Sequence, residues 1–210
     1  MEHENHSGVL MKGLGRLLVY SRPRAWLGMA IEIPRLLRGV SLPAGATCLD
    51  IATGLGWASA GVLRRDPSAT IVALDYDGTI LPRTREYLRD HGAAARVRLC
   101  RGDGKLLPFR DDSFDLVLCL YGLHHFRGYA EALREIARVV KRSGTFALID
   151  PIRSPGKPPG GHDGLQVPTR EELDRMLGAS GFEIVNSRES FGSFKAVTRR
   201  SYPTSHRMGT

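Results

Sequence analysis

The stretch from Asp50 to Gly56 constrains the fold of this chain more than any other part of it. An apolar run over 46–51 predicts a buried strand, and residues 57–64 have the apolar spacing of a helix. Between them lies a turn of small residues, where glycines such as Gly54 let the backbone bend sharply and lie close to a ligand. A strand, a glycine-rich turn and a helix in this order predict an α/β sheet that binds a nucleotide-like cofactor.

A second acidic residue follows the next apolar run. Asp75 ends the run over 70–74, about 20 residues after the glycines, so we expect it at the carboxyl end of a neighbouring strand. A carboxylate there can accept hydrogen bonds from both hydroxyls of a ribose. A dinucleotide fingerprint would need a third glycine where this chain has Ser59, and the bulky Trp57 opens the helix, so a diphosphate is disfavoured. Asp50, just before the turn, favours a cationic ligand instead.

The turn resembles motif I of class I S-adenosylmethionine-dependent methyltransferases, which is usually written Asp/Glu-x-Gly-x-Gly-x-Gly. This chain has Ala52 at the position of the first glycine of the motif. The resemblance implies S-adenosyl-L-methionine as the cofactor. The residues that it assigns to the cofactor from the first two strand ends are Asp50, Ala52, Thr53, Gly54, Gly56, Asp75 and Tyr76.

Later segments match the same family in order and at family spacing, over roughly residues 44–200. The segment 101–109 resembles the third motif, in which an acid after the third strand accepts a hydrogen bond from the adenine amino group. This assigns Asp103, with Gly104 beside it, to the cofactor site. The segment 113–120 resembles the fourth strand, and its last residue, Leu120, is assigned to the cofactor as well.

The segment Leu123-His-His-Phe126 resembles one that follows the fourth strand in ubiquinone- and menaquinone-biosynthesis methyltransferases and in many small-molecule relatives. Methyl transfer from a sulfonium mainly needs the acceptor to be aligned in a dry pocket. A base is needed only when the acceptor arrives protonated, as a phenol, enol or ammonium does. His124 or His125 is the candidate catalytic base. The alternative is that one histidine packs and the other caps; His162 and Asp163 are more remote candidates.

The order of the apolar runs predicts a Rossmann-like, doubly wound α/β fold with a mostly parallel seven-stranded sheet and a reversed last strand. Five predicted strands cover 46–51, 70–75, 97–100, 114–120 and 145–150, and helices over 57–64, 79–90 and 128–141 alternate with them. After a stretch rich in proline and glycine (151–168), a capping box predicts a helix over 169–180. Two strands that begin at Phe182 and Phe194 then complete the sheet as a hairpin.

We divide the chain into an N-terminal helical cap segment (1–45), a methyltransferase domain (46–200) and a tail without ordered structure (201–210). The N-terminal part contains two mostly apolar stretches with interspersed basic residues, over 9–20 and 25–40. These helices could pack on the domain, cover the substrate cavity, or contact a membrane surface.

Composition narrows the location and the partners. No apolar run reaches the ~18 residues of a membrane-spanning helix, and the acidic N-terminus does not fit a signal peptide. Cys48, Cys100 and Cys119 fall in predicted strands without metal-ligand spacing, so we expect buried thiols, a cytoplasmic protein and no metal site.

The net charge of +8 permits nucleic acid as a partner, but the arginines are spread along the whole chain. We therefore expect a methyltransferase that acts on a small-molecule acceptor. Two alternatives remain: an RNA methyltransferase, favoured only by charge, and a binding or regulatory protein of the same fold without turnover.

Overall fold

The computed structural model describes residues 21–126, 128–156, 167–190 and 192–201. Its elements, in chain order, are α1 (Arg22–Leu27), a π-helical turn (Gly28–Glu32), α2 (Ile33–Leu36), β1 (Thr47–Ile51), α3 (Trp57–Arg65), β2 (Thr70–Asp75), α4 (Leu81–Asp90), a 3₁₀ turn (Ala94–Arg96), β3 (Val97–Arg101), β4 (Phe114–Leu120), a second 3₁₀ turn (Leu123–His125), α5 (Tyr129–Val139), β5 (Val140–Pro151), α6 (Arg170–Ala179), β6 (Phe182–Ser190) and β7 (Ser193–Arg200).

The seven strands form one sheet in the order β3-β2-β1-β4-β5-β7-β6. The neighbours from β3 to β5 are parallel, and β7 is antiparallel to both β5 and β6. This confirms the predicted Rossmann-like sheet with its reversed last strand. The strand order changes direction between β1 and β4, and in open α/β sheets the carboxyl ends of the strands at such a point form the ligand crevice.

Apolar side chains pack on both faces of the sheet, as the alternation along β4 shows. Leu116 and Leu118 lie on the face covered by α1 to α4, whereas Val117 and Cys119 lie on the face covered by α5 and α6. All four side chains are fully buried. Because successive residues of a strand point to opposite faces, a strand buried on both sides is apolar throughout.

The start of β5 differs from the prediction. We predicted a helix over 128–141 and a strand from residue 145, but α5 ends at Val139 and β5 begins at Val140. Two consecutive β-branched residues favour extended backbone at this junction. The pairing with β4 then shifts register, and a Cβ at Gly144 would lie 2.9 Å from the carbonyl oxygen of Phe114, so the irregular segment needs glycine there.

The first helices belong to the same core as the sheet. Gly28 lies against the indole ring of Trp57, where a Cβ would be 2.6 Å from Cε3, and Ile33 is fully buried against Gly61 of α3. In the described residues these helices are therefore packed on the domain. The predicted helix over 9–20, His162 and Asp163, and the tail from residue 202 onwards all lie outside the described residues.

No helix among the described residues combines the length and the apolar character that crossing a membrane requires. Cys48 and Cys119 are buried free thiols, whereas Cys100, on the edge strand β3, is only partly buried.

Candidate functional site

Asp50 holds the glycine-rich turn onto the start of α3. Its Oδ2 accepts hydrogen bonds from the hydroxyl of Thr53 (2.8 Å) and from both the hydroxyl (2.6 Å) and the amide (3.2 Å) of Ser59. The carboxyl group is fully buried, and this burial raises its pKa to about 6 although the three donors oppose the shift. Asp50 therefore shapes the turn. Ser59, which stands where a dinucleotide fingerprint would have its third glycine, is the main partner of this acid.

The turn itself is built from left-handed backbone. Gly54 (φ 54°) and Gly56 (φ 81°) adopt this conformation at no steric cost, but Ala52 (φ 55°) also adopts it. The carbonyl of Gly54 accepts a hydrogen bond from the hydroxyl of Thr84 on α4 (2.5 Å), which fixes the turn from the other side. A non-glycine residue in this region is strained by about 1 kcal/mol, and such strain is commonly found at functional sites.

Asp75 joins the turn to the end of β2. Its Oδ2 accepts the amide of Gly54 (2.8 Å) and its Oδ1 accepts the amide of Asp77 (2.9 Å). Burial raises the pKa of this carboxyl group. These bonds use two of roughly four lone-pair positions of a carboxylate, so acceptor capacity remains for a ligand. Tyr76, predicted to contact the cofactor, is half-buried directly after it.

The end of β3 contributes Asp103 and Gly104. The amide of Gly102 donates to the carbonyl of Asp75 (3.0 Å), which places this segment beside the end of β2. Asp103 is half-buried, and its Oδ1 accepts the amide of Lys105 (2.9 Å). A Cβ at Gly104 would lie 2.6 Å from Cζ of Phe126, so the Phe126 ring covers this glycine. This contact between Phe126 and the site was not predicted from the sequence.

The end of β4 packs directly on the glycine-rich turn. Leu120, predicted at the cofactor, is buried as the last residue of the strand. Tyr121 follows it in left-handed backbone (φ 56°). A Cβ at Gly122 would lie 2.5 Å from the Cβ of Ala52, so only glycine fits against this alanine. The structure thus brings the predicted residues of β1, β2, β3 and β4 together at one edge of the sheet.

His124 forms a buried pair with a residue that the sequence analysis did not single out. Its Nδ1 lies 2.9 Å from Oδ1 of Asp150, and only 8% of His124 and 0% of Asp150 are exposed. The hydroxyl of Tyr129 donates to the other carboxylate oxygen (3.5 Å). Burial raises the pKa of Asp150, and the bond to His124 opposes that shift. With Asp150 ionised, Nδ1 carries a proton and Nε2 is the basic nitrogen.

His125 has a different environment from its neighbour. It is half-buried, and its ring lies 4.0 Å from the ring of His124, tilted by 38°. The carboxylate of Asp150 orients the imidazole of His124.

A second polar cluster ties the first helices to this edge. Glu32 accepts hydrogen bonds from the hydroxyl of Tyr121 (2.9 Å) and from Lys195 of β7 (3.4 Å) through Oε1, and from Arg24 (3.2 Å) through Oε2. The Arg24 guanidinium also lies 4.9 Å from the centre of the Tyr121 ring. Burial, followed by the charge of Glu32, raises the pKa of Tyr121 to about 12. We refer to these four residues as the Glu32 cluster.

In the described part of the chain, no group of histidine, cysteine, aspartate or glutamate side chains is arranged to hold a metal ion. Among the groups at this edge are the carboxylates of Asp75 and Asp103 and the imidazole of His124, which is oriented by Asp150.

A family model described as a methyltransferase domain matches residues 49–148. A ubiquinone/menaquinone biosynthesis C-methyltransferase UbiE of Pseudomonas putida (strain GB-1) is 33% identical over 189 residues, which cover 86% of this chain and 66% of that protein. The chain spans 43% to 66% of the length of the UbiE-named relatives that it matches.

Solved structures share the fold. A SAM-dependent methyltransferase from Aquifex aeolicus is similar with a TM-score of 0.70 and 19% identity, over 88% of this chain and 96% of that chain. The [4+2]-cyclase SpnF is similar with a TM-score of 0.72 and 20% identity, over 82% of this chain and 81% of that one. The ordered motifs, the strand order and these similarities agree. The chain belongs to the class I S-adenosylmethionine-dependent methyltransferase family.

Proposed function

We propose that this protein transfers a methyl group from S-adenosylmethionine to a small-molecule acceptor by in-line displacement. The observation that carries this proposal is the convergence of Asp75 and Asp103 with the left-handed glycine turn at the carboxyl ends of β1, β2 and β3. Two carboxylates beside a turn that contains Gly54 and Gly56 match an adenosine, because the ribose hydroxyls and the adenine amino group donate hydrogen bonds.

The residues at this edge fit the cofactor. Asp75 retains acceptor capacity for the ribose hydroxyls, Asp103 would accept from the adenine amino group, and the turn at Gly54 leaves room for the backbone to approach the ligand. Asp50 would act indirectly, through the shape of the turn. When bound, S-adenosylmethionine supplies an activated methyl group on a sulfonium that leaves as a neutral thioether.

The His124–Asp150 pair supports an acceptor that must lose a proton. Nε2 of His124 would take the proton of a phenol, enol or ammonium group, and Asp150 would hold the ring and stabilise the imidazolium that results. The name of the UbiE relatives, ubiquinone/menaquinone biosynthesis C-methyltransferase, supports an aromatic or quinol-type acceptor.

Calorimetry tests the cofactor directly. The protein should bind S-adenosylhomocysteine and not NAD, and Asp75→Ala should weaken this binding by about 1.5–3 kcal/mol, the usual range for hydrogen bonds to a charged group. Asp77→Ala, two residues after Asp75, is the matched control. Tight NAD binding without a response to S-adenosylhomocysteine would overturn the proposal.

Metabolite extracts incubated with protein and methyl-labelled cofactor would identify the acceptor. With that acceptor, His124→Ala should slow turnover by about 10²–10⁴-fold, as expected for loss of a general base, and His125→Ala should not. Asp150→Asn should lower turnover while leaving cofactor affinity unchanged. Full activity of both histidine variants would show that neither ring is the base.

A second candidate is a protein of this fold that binds the cofactor without methyl transfer. It is favoured by Ala52 at a position where the family has glycine, and by the similarity in fold to a protein that is a [4+2]-cyclase. S-adenosylhomocysteine binding without any labelled product from the extracts would support this candidate.

A further inference from the structure

We propose that Glu135 and Arg138, on the outward side of α5, position the loop that carries the adenine-binding residues. This loop, residues 102–113, connects β3 to β4 and contains Asp103 and Gly104. The inference rests on the proposed function for its ligand and deepens it, because it assigns to cofactor binding two residues that do not touch the cofactor edge.

Glu135 and Arg138 bind both backbone polar groups of one loop residue, Leu107. Oε2 of Glu135 accepts the amide of Leu107 (2.9 Å), and Nη2 of Arg138 donates to the carbonyl of Leu107 (3.0 Å). The two side chains are joined to each other by two bonds of 2.7 Å, from Nε and Nη2 of Arg138 to the two carboxylate oxygens. This bidentate geometry fixes both groups at once.

Arg138 also holds the rest of the loop. Its Nη1 donates to the carbonyl of Phe109 (2.7 Å) and to Oδ1 of Asp111 (2.9 Å), and its own carbonyl accepts the amide of Asp112 (3.0 Å). Three of the hydrogen bonds that Arg138 donates therefore go to this loop, and the other two go to Glu135.

A single turn connects Leu107, which Glu135 and Arg138 bind, to Asp103. The carbonyl of Asp103 accepts the amide of Leu106 (3.1 Å), and its carboxylate accepts the amide of Lys105 (2.9 Å). Leu107 itself is buried (3% exposed), whereas Leu106, the residue before it, is 78% exposed. The hydrogen bonds from Glu135 and Arg138 to Leu107 therefore fix one end of the turn, and β3 fixes the other end.

The pair is accessible enough to be altered without opening the core. The side chains of Arg138 and Glu135 are 30% and 20% exposed. The hydrogen bond from Arg138 lowers the pKa of Glu135, so the acid is ionised at neutral pH. Arg170 provides a matched control, because it is 28% exposed and is paired with Asp174 and Glu189, but it lies on α6 beside β6.

The experiment measures S-adenosylhomocysteine affinity in Arg138→Met, which keeps most of the apolar stem and removes the donors. We expect binding to be about tenfold weaker, the change expected from a loss comparable to a hydrogen bond of a charged group. Arg138→Lys should lie between this variant and the wild type, because lysine keeps the charge but not the planar fork. Arg170→Met should bind within about twofold of the wild type.

Two further measurements separate positioning from general stabilisation. The effect of Arg138→Met should largely disappear in an Asp103→Ala background but persist in an Asp75→Ala background, because only the adenine contact depends on this loop. In the ligand-free protein, Arg138→Met should accelerate hydrogen exchange at the amide of Leu107 while exchange in β1 and β4 stays unchanged.

Equal, additive losses in both aspartate backgrounds, or unchanged affinity in a folded Arg138→Met protein, would overturn the inference. Should that variant not fold, Arg138→Lys provides the same comparison. If wild-type protein does not bind S-adenosylhomocysteine, the proposed function and the cofactor part of this inference both fail, and exchange at Leu107 still decides whether the pair holds the loop.

Discussion

The methyl group of Ala52 restricts which residue can occupy position 122. The methyl of Ala52 fills the space in which a side chain at position 122 would lie, and it does so from left-handed backbone. A glycine at position 52 would remove both the strain and the obstruction.

We therefore expect Gly122→Ala to destabilise the protein by on the order of 1–3 kcal/mol, the usual cost of overpacking. Ala52→Gly alone should stabilise it by about 1 kcal/mol, because glycine adopts this φ without strain. In the double variant, Ala52→Gly should recover most of the loss and leave a smaller contact with Sγ of Cys119, which lies 3.2 Å from the new Cβ. Urea unfolding of the wild type, the two single variants and the double variant gives the coupling free energy between positions 52 and 122. Equal losses from Gly122→Ala in the wild-type and Ala52→Gly backgrounds would contradict this coupling.

The titration of Asp50 makes the free energy of unfolding depend on pH. Its pKa is about 6 in the folded protein because the group is buried, compared with an ordinary value of 3.8. Between these two values the folded state binds more protons at Asp50 than the unfolded state, so its contribution to stability decreases as the pH rises through this window and is constant above it.

Asp50→Asn should remove this contribution, which is on the order of 1–3 kcal/mol between pH 4 and pH 6. Ser59→Ala should extend the window to higher pH, because the Ser59 hydroxyl stabilises the ionised form. Unfolding free energies measured from pH 4 to pH 8 test both statements. An Asp50→Asn protein with the wild-type slope would refute them.

At the scale of elements, the Glu32 cluster connects three parts of the chain that are distant in sequence. Glu32 lies on the π-helical turn, Tyr121 follows β4 and Lys195 lies on β7. The side chains of Glu32 and Lys195 are 16% and 19% exposed, so their interaction is screened less than that of a surface pair. Removing the carboxylate leaves two partly buried cations without their counter-charge.

Glu32→Gln should therefore accelerate hydrogen exchange over residues 22–36 and lower stability by about 1–3 kcal/mol, while exchange in β1 and β4 stays unchanged. Glu86→Gln is the control, because Glu86 is 57% exposed and lies 3.9 Å from Arg22 of the same helices. Surface pairs of this kind contribute little. Equal exchange in the two variants would show that the Glu32 cluster does not hold the helices.

Considered as a whole, the molecule is basic, but many of its cations are already paired. Arg24, Arg138, Arg153, Arg170 and Arg200 each contact a carboxylate. Such arginines are less available to phosphates than the net charge of +8 suggests.

Any RNA binding should therefore be weak, decrease steeply with salt and show no preferred sequence. Filter binding with several unrelated RNAs at two salt concentrations measures this. A salt-resistant, sequence-selective complex would instead favour an RNA acceptor.

Periodicity was sufficient to predict the strand that Asp75 ends, because the length and position of an apolar run are local properties of the sequence. Asp103 lies two residues after β3 and was assigned from the resemblance of its segment to the third motif. Asp150 was not predicted as a partner of His124, since 26 residues separate them and only the β4–β5 pairing brings them together. The bond between Glu32 and Tyr121 spans 89 residues and has no local signal at all. Ser59 served only as evidence against a dinucleotide fingerprint, and its hydrogen bonds to Asp50 were not predicted.

The indole ring of Trp57 lies between the first helices and the glycine-rich turn, with Gly28 against its face and Arg24 5.7 Å from its centre. The chain has two tryptophans, and the other, Trp26, is 54% exposed. A Trp26→Phe protein would therefore carry a single tryptophan, which can be excited selectively, at the junction of these two parts. Its emission would report, without any attached dye, when either part moves, and stopped-flow mixing would give the rate.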